Sequence, residues 1–377
     1  MPEVNKILKI GITGKKGFIG THLFNYLNLQ KDVKLISFEK SLFKDDTQLR
    51  NFVKQCDFIV HLAAVNRHND PQIIYQTNVG LVQQLIAAME VENVTPHVIF
   101  SSSSQEERDN IYGKSKKDGR NLFVKWAIEH NAVFTGLLIP NVFGPFGNPY
   151  YNSVIATFSH QLIHNETPKI DIDGVLKLIY VGNLVEEIWV IIKNNRNHHE
   201  YLIPYTSEMK VSDILKLLEG YRTGYLENNT FPEIRNRFEL NLFNTFRSYI
   251  DNKSHYPIVL KKNSDNRGCF IETVKTELGG QFSFSTTHPG ITRGNHFHTR
   301  KIERFTVISG KAVIEIRRIG TNEILHFELD GEQPAFVDMP VWFTHNITNT
   351  GSDELLTLFW INEFYDPNDP DTFFETV

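Results

Sequence analysis

The hydrophobic pattern changes character well past the middle of the chain. Up to about residue 190, short apolar runs alternate with segments whose apolar positions recur at helical spacing. Ile7–Thr13, Val33–Phe38, Phe58–Leu62, His97–Phe100 and Phe134–Ile139 read as buried strands. Phe18–Leu29, with Phe18, Ile19, Leu23 and Leu27 on one face, reads as a helix, as do Val79–Met89 and Asp118–His130. Strands separated by helices predict βαβ units and a Rossmann-like, doubly wound parallel sheet. Beyond residue 258 short β-rich segments follow one another closely: Ile258–Lys261, Phe282–Thr286, Arg304–Ser309, Ala312–Arg317, Ile324–Leu329 and Leu355–Trp360. Gly279-Gly280, Gly310, Asp330-Gly331 and Gly351 punctuate them, which predicts an antiparallel sandwich or barrel. The Asn- and Arg-rich stretch from about 220 to 257 reads as a connection. Two domains are expected, 1–250 and 258–377, with no internal repeat.

Composition narrows the class. The 377 residues are 41% apolar and 22% charged, and Lys+Arg 39 against Asp+Glu 44 gives a net charge of −5. A strongly basic nucleic-acid binder and a highly charged disordered chain are both excluded. No apolar stretch approaches the roughly 20 residues of a membrane span; Ile188–Ile192 is among the longest. Lys9 interrupts the N-terminal apolar segment, so no signal peptide is expected. Cys56 and Cys269 stand far apart, which suits neither a disulfide framework nor a thiolate metal site. A cytoplasmic, soluble protein without nucleic-acid or membrane partners is the expectation.

Candidate chemistry begins where the first strand runs into Thr13-Gly14-Lys15-Lys16-Gly17-Phe18-Ile19-Gly20. Glycines between a strand and a helix let the backbone turn tightly and let a pyrophosphate approach the helix N-terminus, whose free N–H groups and dipole favour anions. Downstream, Tyr112-Gly113-Lys114-Ser115-Lys116 places Tyr112 and Lys116 four apart, on one helical face. An ammonium beside a phenol is expected to lower the phenol pKa, so that its oxygen can pass a proton to or from a carbonyl. A hydroxyl from the run Ser101–Ser104 would bond the same oxygen. The second strand ends near Phe38, followed by Glu39 and Lys40. An acid there favours a ribose 2′-hydroxyl and a base a 2′-phosphate, so the local signal is split.

A second constellation is Gly290, His296, His298, Glu303 and Gly310, followed by Pro340, His345 and Asn349. Residues i and i+2 of a strand face one side, so both imidazoles of the HxH pair point into one interior, with Glu303 returning from the next part of the hairpin. Three imidazoles and a carboxylate suit a divalent ion such as Zn²⁺, Fe²⁺ or Mn²⁺.

TGKKGFIG, HLAA at 61–64, Asn78, FSSS at 100–103, YGKSK and PNVFGP at 140–145 together resemble the extended short-chain dehydrogenase/reductase family of nucleotide-sugar enzymes. That resemblance implies Tyr112 as acid/base, Lys116 as its partner and Ser103 as the hydroxyl, the long SSSSQEERDNIYG link leaving the choice of serine open. It implies a nicotinamide cofactor held by Gly14, Lys16, Gly17, Phe18, Ile19 and Gly20, lined by Leu62, Ala63 and Ala64, and contacted by Tyr112 and Lys116. The histidine spacing resembles both motifs of the cupin family, a double-stranded β-helix or jelly roll. The second motif departs from it, with Gly331 far from Pro340 and Trp342 where a glycine is usual. The cupin resemblance implies His296, His298, Glu303 and His345 as metal ligands, with the metal either polarising a carbonyl or holding the barrel together. Lys301 and Arg293 flank them as candidate anion binders or plain surface charges. Asn152 and Ser153, in the 141–153 stretch, are candidate substrate contacts.

Reductase followed by cupin resembles the bifunctional enzymes of capsular polysaccharide synthesis. This implies C3 epimerisation of a UDP-linked 4-keto-6-deoxy-N-acetylhexosamine and C4 reduction with NADPH, Lys40 and Lys16 serving the 2′-phosphate. It also implies a zinc-binding homodimer. The competing reading is a 4-keto-sugar reductase whose barrel only binds sugar or joins subunits. An iron oxygenase is disfavoured by the fourth ligand at His345.

Overall fold

The computed structural model describes residues 6–265, 268–271, 273–276, 279–363 and 366–377, with backbone alone at 263–265 and 268–271, so the side chain of Cys269 lies outside it. The chain divides into two compact units, one of residues 1–154 and 174–210, the other of 155–173 and 211–377. Among the described residues no helix is long and apolar enough to cross a membrane.

In the first unit β1 (Leu8–Thr13), β2 (Val33–Ile36), β3 (Phe58–His61), β4 (His97–Ser103), β5 (Phe134–Ile139) and β6 (His198–Leu202) form a parallel sheet. Their order is β2-β1-β3-β4-β5-β6. Alternation along the strands splits the core into two layers. Phe58, Val60 and Ile99 join Leu23 and Leu27 of α1 (Phe18–Asn28) with Leu184 and Ile188 of the helix Val181–Lys193. Ile59, Val98 and Phe100 join Leu49 and Phe52 of α2 (Asp46–Gln55), Val82 and Leu85 of α3 (Pro71–Glu92), and Phe123 and Trp126 of α4 (Ile111–Glu129). Helices therefore cover both faces, as a parallel sheet requires. The strand order reverses between β1 and β3, where open α/β sheets bind ligands at the strands' carboxyl ends.

Caps set the helix starts that periodicity misplaced. Asp70 accepts from Gln72 N at 2.9 Å with Pro71 at the first position, so α3 begins at Pro71 rather than Val79. Asn110 accepts from Gly113 N at 2.7 Å and starts α4 at Ile111 rather than Asp118, which puts Tyr112 on its first turn. Helix α2 has no counterpart in the sequence reading, because only Leu49, Phe52 and Val53 of its polar segment are buried.

In the second unit two five-stranded sheets hold a shared apolar interior. The first runs Ile258–Val259, β11 (Ala335–Met339), β8 (Glu303–Ser309), β13 (Leu355–Ile361) and, at the edge, the strand Gln281–Thr287. The second runs β10 (Ile324–Asp330), β9 (Lys311–Arg318), β12 (Phe343–Asn349), β7 (Thr292–Phe297) and Phe373–Phe374. Pairing within both is antiparallel, as expected of a jelly roll. Phe305 and Val307 from one sheet meet Ile314, Ile316 and Ile347 from the other.

The opposite side of β8 is polar but equally buried. Arg304 donates to Asp338 through Nε at 2.7 Å and Nη2 at 3.0 Å. Asp338 also accepts from the Tyr225 hydroxyl, which lies 2.9 Å from the Tyr256 hydroxyl. The Arg304 guanidinium sits 3.7 Å from the Phe336 ring centroid and 4.6 Å from that of Phe231. Burial would raise the Asp338 pKa, yet Arg304 and then Arg247 hold it below the ordinary value. Replacing Asp338 with Ala strands a buried guanidinium and should cost about 3–5 kcal/mol of unfolding free energy. Urea denaturation checks this; a loss under about 1 kcal/mol would mean that the pair is not a structural anchor.

Candidate functional site

At the carboxyl end of β1 the glycine turn is sterically required. Gly14 has φ +76°, and a Cβ there would stand 2.8 Å from Ala63 N. A Cβ on Gly20 would stand 2.2 Å from Gly14 O. Gly17 heads α1 without any side-chain cap, so the first N–H groups of the helix face the turn. These features fit a pyrophosphate. Thr13 and His61 tie the ends of β1 and β3 together through Oγ1 and Nδ1 at 2.7 Å, and Ala63 N donates to the same hydroxyl at 3.3 Å. His61 is fully buried against Phe100, and burial, then Lys116, pushes its pKa down to about 3, so it is a neutral clamp. Leu62, Ala63 and Ala64, half-buried, follow it out of the strand.

Lys16 and Lys15 both engage Glu39, at 2.9 and 3.4 Å, while Lys40 opens a short 3₁₀ turn and stays exposed. His22 on α1 bonds Pro145 O at 2.9 Å and stacks near Phe146, a link between α1 and the PNVFGP loop that sequence reasoning missed. Its signal was a histidine among apolar helix positions. Arg67 donates to Tyr150 O at 3.0 Å and lies 5.8 Å from the Tyr151 ring, which supports the 141–153 loop.

The serine run divides by face. Ser101 donates to His61 O at 3.2 Å and receives Lys116 Nζ at 3.4 Å. Ser103, two residues on, shares that face, and its Oγ accepts from Gln105 N at 3.2 Å. Ser102 points away and donates to Glu106. Glu106 in turn binds buried Arg120 at 3.0 and 2.8 Å. The long serine-to-tyrosine link is thus folded back as a turn over α4, where a Cβ on Gly113 would stand 2.0 Å from Gln105 O.

Lys116 and Tyr112 do lie on one side of α4, with Nζ 5.9 Å from the Tyr112 ring centroid. The expected lowering of the phenol pKa is corrected here. Burial, followed by Tyr151, holds Tyr112 well above its ordinary value. Burial also pulls Lys116 down to about 7, partly opposed by Glu106, so the ammonium that should acidify the phenol is itself half discharged near neutrality.

In the second unit the four expected donors converge. Each of His296, His298, Glu303 and His345 offers one ligand atom within 4.8 Å of the others. His296 and His345 are register partners on β7 and β12, beside a bulge at Gly294–His296. His298 lies just beyond β7, so the HxH pair is not held by strand alternation alone. Glu303 Oε2 is 2.9 Å from His298 Nε2 and 3.3 Å from His345 Nε2. That last nitrogen is buried and has no hydrogen-bond partner among the described residues. Burial, then His345 and His298, holds His296 down at about 4. Burial raises the Glu303 pKa, but His298 outweighs it and the carboxylate stays ionised. An ionised carboxylate, a neutral imidazole and an orphaned nitrogen facing one point fit a divalent cation.

Trp342 keeps the glycine-like backbone of the position it occupies, at φ +61°. Its N–H donates to His298 O at 2.8 Å and its ring stacks on Phe297 at 5.4 Å, so the substitution supports the ligand loop. Lys301 is buried and donates to Pro370 O at 2.7 Å, and exposed Arg293 donates to Thr287 at 3.1 Å. Lys301 is therefore a structural contact rather than a strand-edge charge.

Residues 10–203, just over half of the chain, match the family described as NAD dependent epimerase/dehydratase. The chain belongs to that family. Within this epimerase/dehydratase member, residues 263–373 also match the polysaccharide biosynthesis C-terminal domain. The chain is similar to a UDP-2-acetamido-2,6-beta-L-arabino-hexul-4-ose reductase of Pseudomonas aeruginosa, 30% identical over 97% of this chain and 98% of that protein. It is also similar to the solved capsular polysaccharide assembling protein CapF of Staphylococcus aureus, 34% identical with a TM-score of 0.63, covering 98% of this chain and 100% of that one. RMD of Pseudomonas aeruginosa, solved with NADPH, shares the fold at 19% identity and a TM-score of 0.52 over 57% of this chain and 82% of that one.

In this family member the buried Lys116 has a thermodynamic cost. Its folded pKa of about 7 lies below its ordinary 10.5, so the folded state binds fewer protons than the unfolded state between those values. The penalty is complete below pH 7, shrinks as pH rises and vanishes above about 10.5. Lys116→Met should therefore raise the melting temperature at pH 7 and flatten the rise of stability between pH 7 and 10. Calorimetry across that range checks it; an unchanged slope would remove Lys116 as its source.

Proposed function

We propose that the chain is a bifunctional nucleotide-sugar enzyme. The C-terminal barrel epimerises C3 of a UDP-linked 4-keto-6-deoxy-N-acetylhexosamine. The reductase unit then reduces the C4 ketone with NADPH to UDP-2-acetamido-2,6-dideoxy-L-talose, on the route to UDP-N-acetyl-L-fucosamine for capsule or surface polysaccharide. The observation that carries this reading is the presence, in one chain alike end to end to a UDP-hexulose reductase, of a Tyr112–Lys116 pair and a four-donor cluster.

NADPH, when bound at the glycine turn, would be the source of the hydride for C4. Tyr112, held protonated by burial, gives the proton that the developing alkoxide needs. Ser103, on the face that carries Ser101 and Lys116, orients the ketone oxygen. At C3 the neighbouring ketone acidifies the hydrogen, and proton removal and return require no hydride. A Zn²⁺ ion would be held by His296, His298, Glu303 and His345 and would supply a fixed cationic centre in the barrel. A donor set made up of four protein side chains favours a structural role. For the cofactor, Glu39 is already engaged by Lys15 and Lys16, and Lys40 adds a third ammonium nearby in sequence. This charge balance favours a 2′-phosphate over a 2′-hydroxyl. A kcat/KM for NADPH above that for NADH is expected, and Lys16→Ala should narrow the ratio; a native preference for NADH would reverse this assignment.

Tyr112→Phe should lower ketone reduction by roughly 10²–10⁴-fold, the scale of a lost general acid. The same variant, incubated with the keto sugar in D₂O without NADPH, should still incorporate deuterium at C3, read by mass and NMR. Absence of deuterium in folded, metal-loaded protein would make the barrel a binding or dimerisation module and leave the chain a 4-keto-sugar reductase.

A further inference from the structure

The loop that carries His298 has no strand ladder of its own. Strand β7 ends at Phe297 and β8 begins at Glu303. The N–H groups in between are taken from far along the sequence. Asp371 Oδ1 accepts from Thr299 N at 3.1 Å and from the Thr299 hydroxyl at 2.6 Å. Asp371 Oδ2 accepts from Arg300 N at 3.0 Å and Lys301 N at 3.1 Å. Ile302 N donates to Asn362 Oδ1 at 2.9 Å. One carboxylate thus fills a nest of successive amides.

The backbone of the same residue reaches the cluster. Asp371 O accepts from His298 Nδ1 at 2.5 Å, which commits Nδ1 to donating and leaves Nε2 as the atom that faces Glu303 and His345. Asp371 is buried and sits at φ +39°, a left-handed state that Asp adopts more readily than most non-glycine residues. Its side chain anchors the loop while its carbonyl orients the ring.

We propose that Asp371 is a positioning residue of the metal centre, fixing both the loop and the ring orientation of His298 from the C-terminal segment. The inference rests on reading His296, His298, Glu303 and His345 as metal ligands. A carbonyl that fixes the tautomer of a ligand histidine acts on affinity and geometry, and losing such support typically costs 10–100-fold in metal affinity.

The test is Zn²⁺ titration of the full chain against a chromophoric chelator, with Co²⁺ substitution read by visible absorption. Asp371→Asn keeps the shape but sets an amide N–H₂ against backbone donors. It should weaken Zn²⁺ roughly 10–100-fold and alter the Co²⁺ spectrum. Arg317→Ala cuts another tie of this segment, where Nη2 donates to Glu375 Oε1 at 2.9 Å and to Thr376 O at 2.7 Å, and should leave both readouts near wild type. If Asp371→Asn does not fold, Thr299→Val removes a single bond to the carboxylate and should weaken Zn²⁺ about threefold. Wild-type affinity and spectrum in Asp371→Asn, or in Thr299→Val where the first variant cannot be made, overturn the proposal. So does an equal loss in Arg317→Ala, which would reduce the effect to general tethering. A wild-type chain that binds neither ion overturns the metal reading itself.

Discussion

Two adjacent residues of opposite charge, Glu303 and Arg304, fix the register on which the barrel depends. They open the same strand, and alternation sends their side chains to opposite faces. The carboxylate enters the imidazole cluster; the guanidinium meets Asp338. A slip of one residue would bury Glu303 against Asp338 and place Arg304 among the three histidines. Few apolar contacts specify a strand as strongly, because an unpaired charge in the interior is costlier than a cavity. The apolar residues that follow, Phe305 and Val307, are then delivered to the interior without alternative.

The same period of two organises the reductase site with neutral groups. Ser101 receives Lys116 and Ser103 shares its face of the strand, while Ser102 is sent to Glu106 on the other side. The serine run therefore presents one hydroxyl to the Lys116 ammonium and another to an anchoring carboxylate within one segment. His61 and Thr13 close the ends of neighbouring strands, so the point where the sheet changes direction is stiff before any ligand arrives.

Motifs that act within a few residues were legible in the sequence. The glycine turn and the Tyr–Lys spacing require only local geometry, the HxH pair was visible as a motif although His298 is held from afar, and the alternation of strands and helices exposed the first fold as the closely spaced strands exposed the second. Contacts between distant segments were not legible. Asp371 reaches back to the His298 loop across some seventy positions, and nothing in DPNDPD announces which acid will fill a nest. The packing of Tyr225 and Phe231 onto the outer face of the barrel, beside Asp338 and Trp360, was hidden because their segment reads as polar connection. The acidity of Tyr112 was misjudged for a different reason: spacing gives proximity, whereas burial decides charge.

The link between serine and tyrosine is pinned at both ends, by Glu106 on Arg120 and by Asn110 at the head of α4, and the three residues between them, Glu107, Arg108 and Asp109, are exposed. The backbone there is engaged, Arg108 N donating to Gln105 O at 2.9 Å and Arg108 O accepting from Asn110 N at 2.8 Å, while the side chains point into solvent and can change. The loop is consequently a tolerant graft point in an otherwise intolerant neighbourhood. A fluorophore carried on the side chain at position 108 would ride close in sequence to the Tyr112–Lys116 pair as a reporter, while Gly113, on the first turn of α4, accepts not even a methyl group.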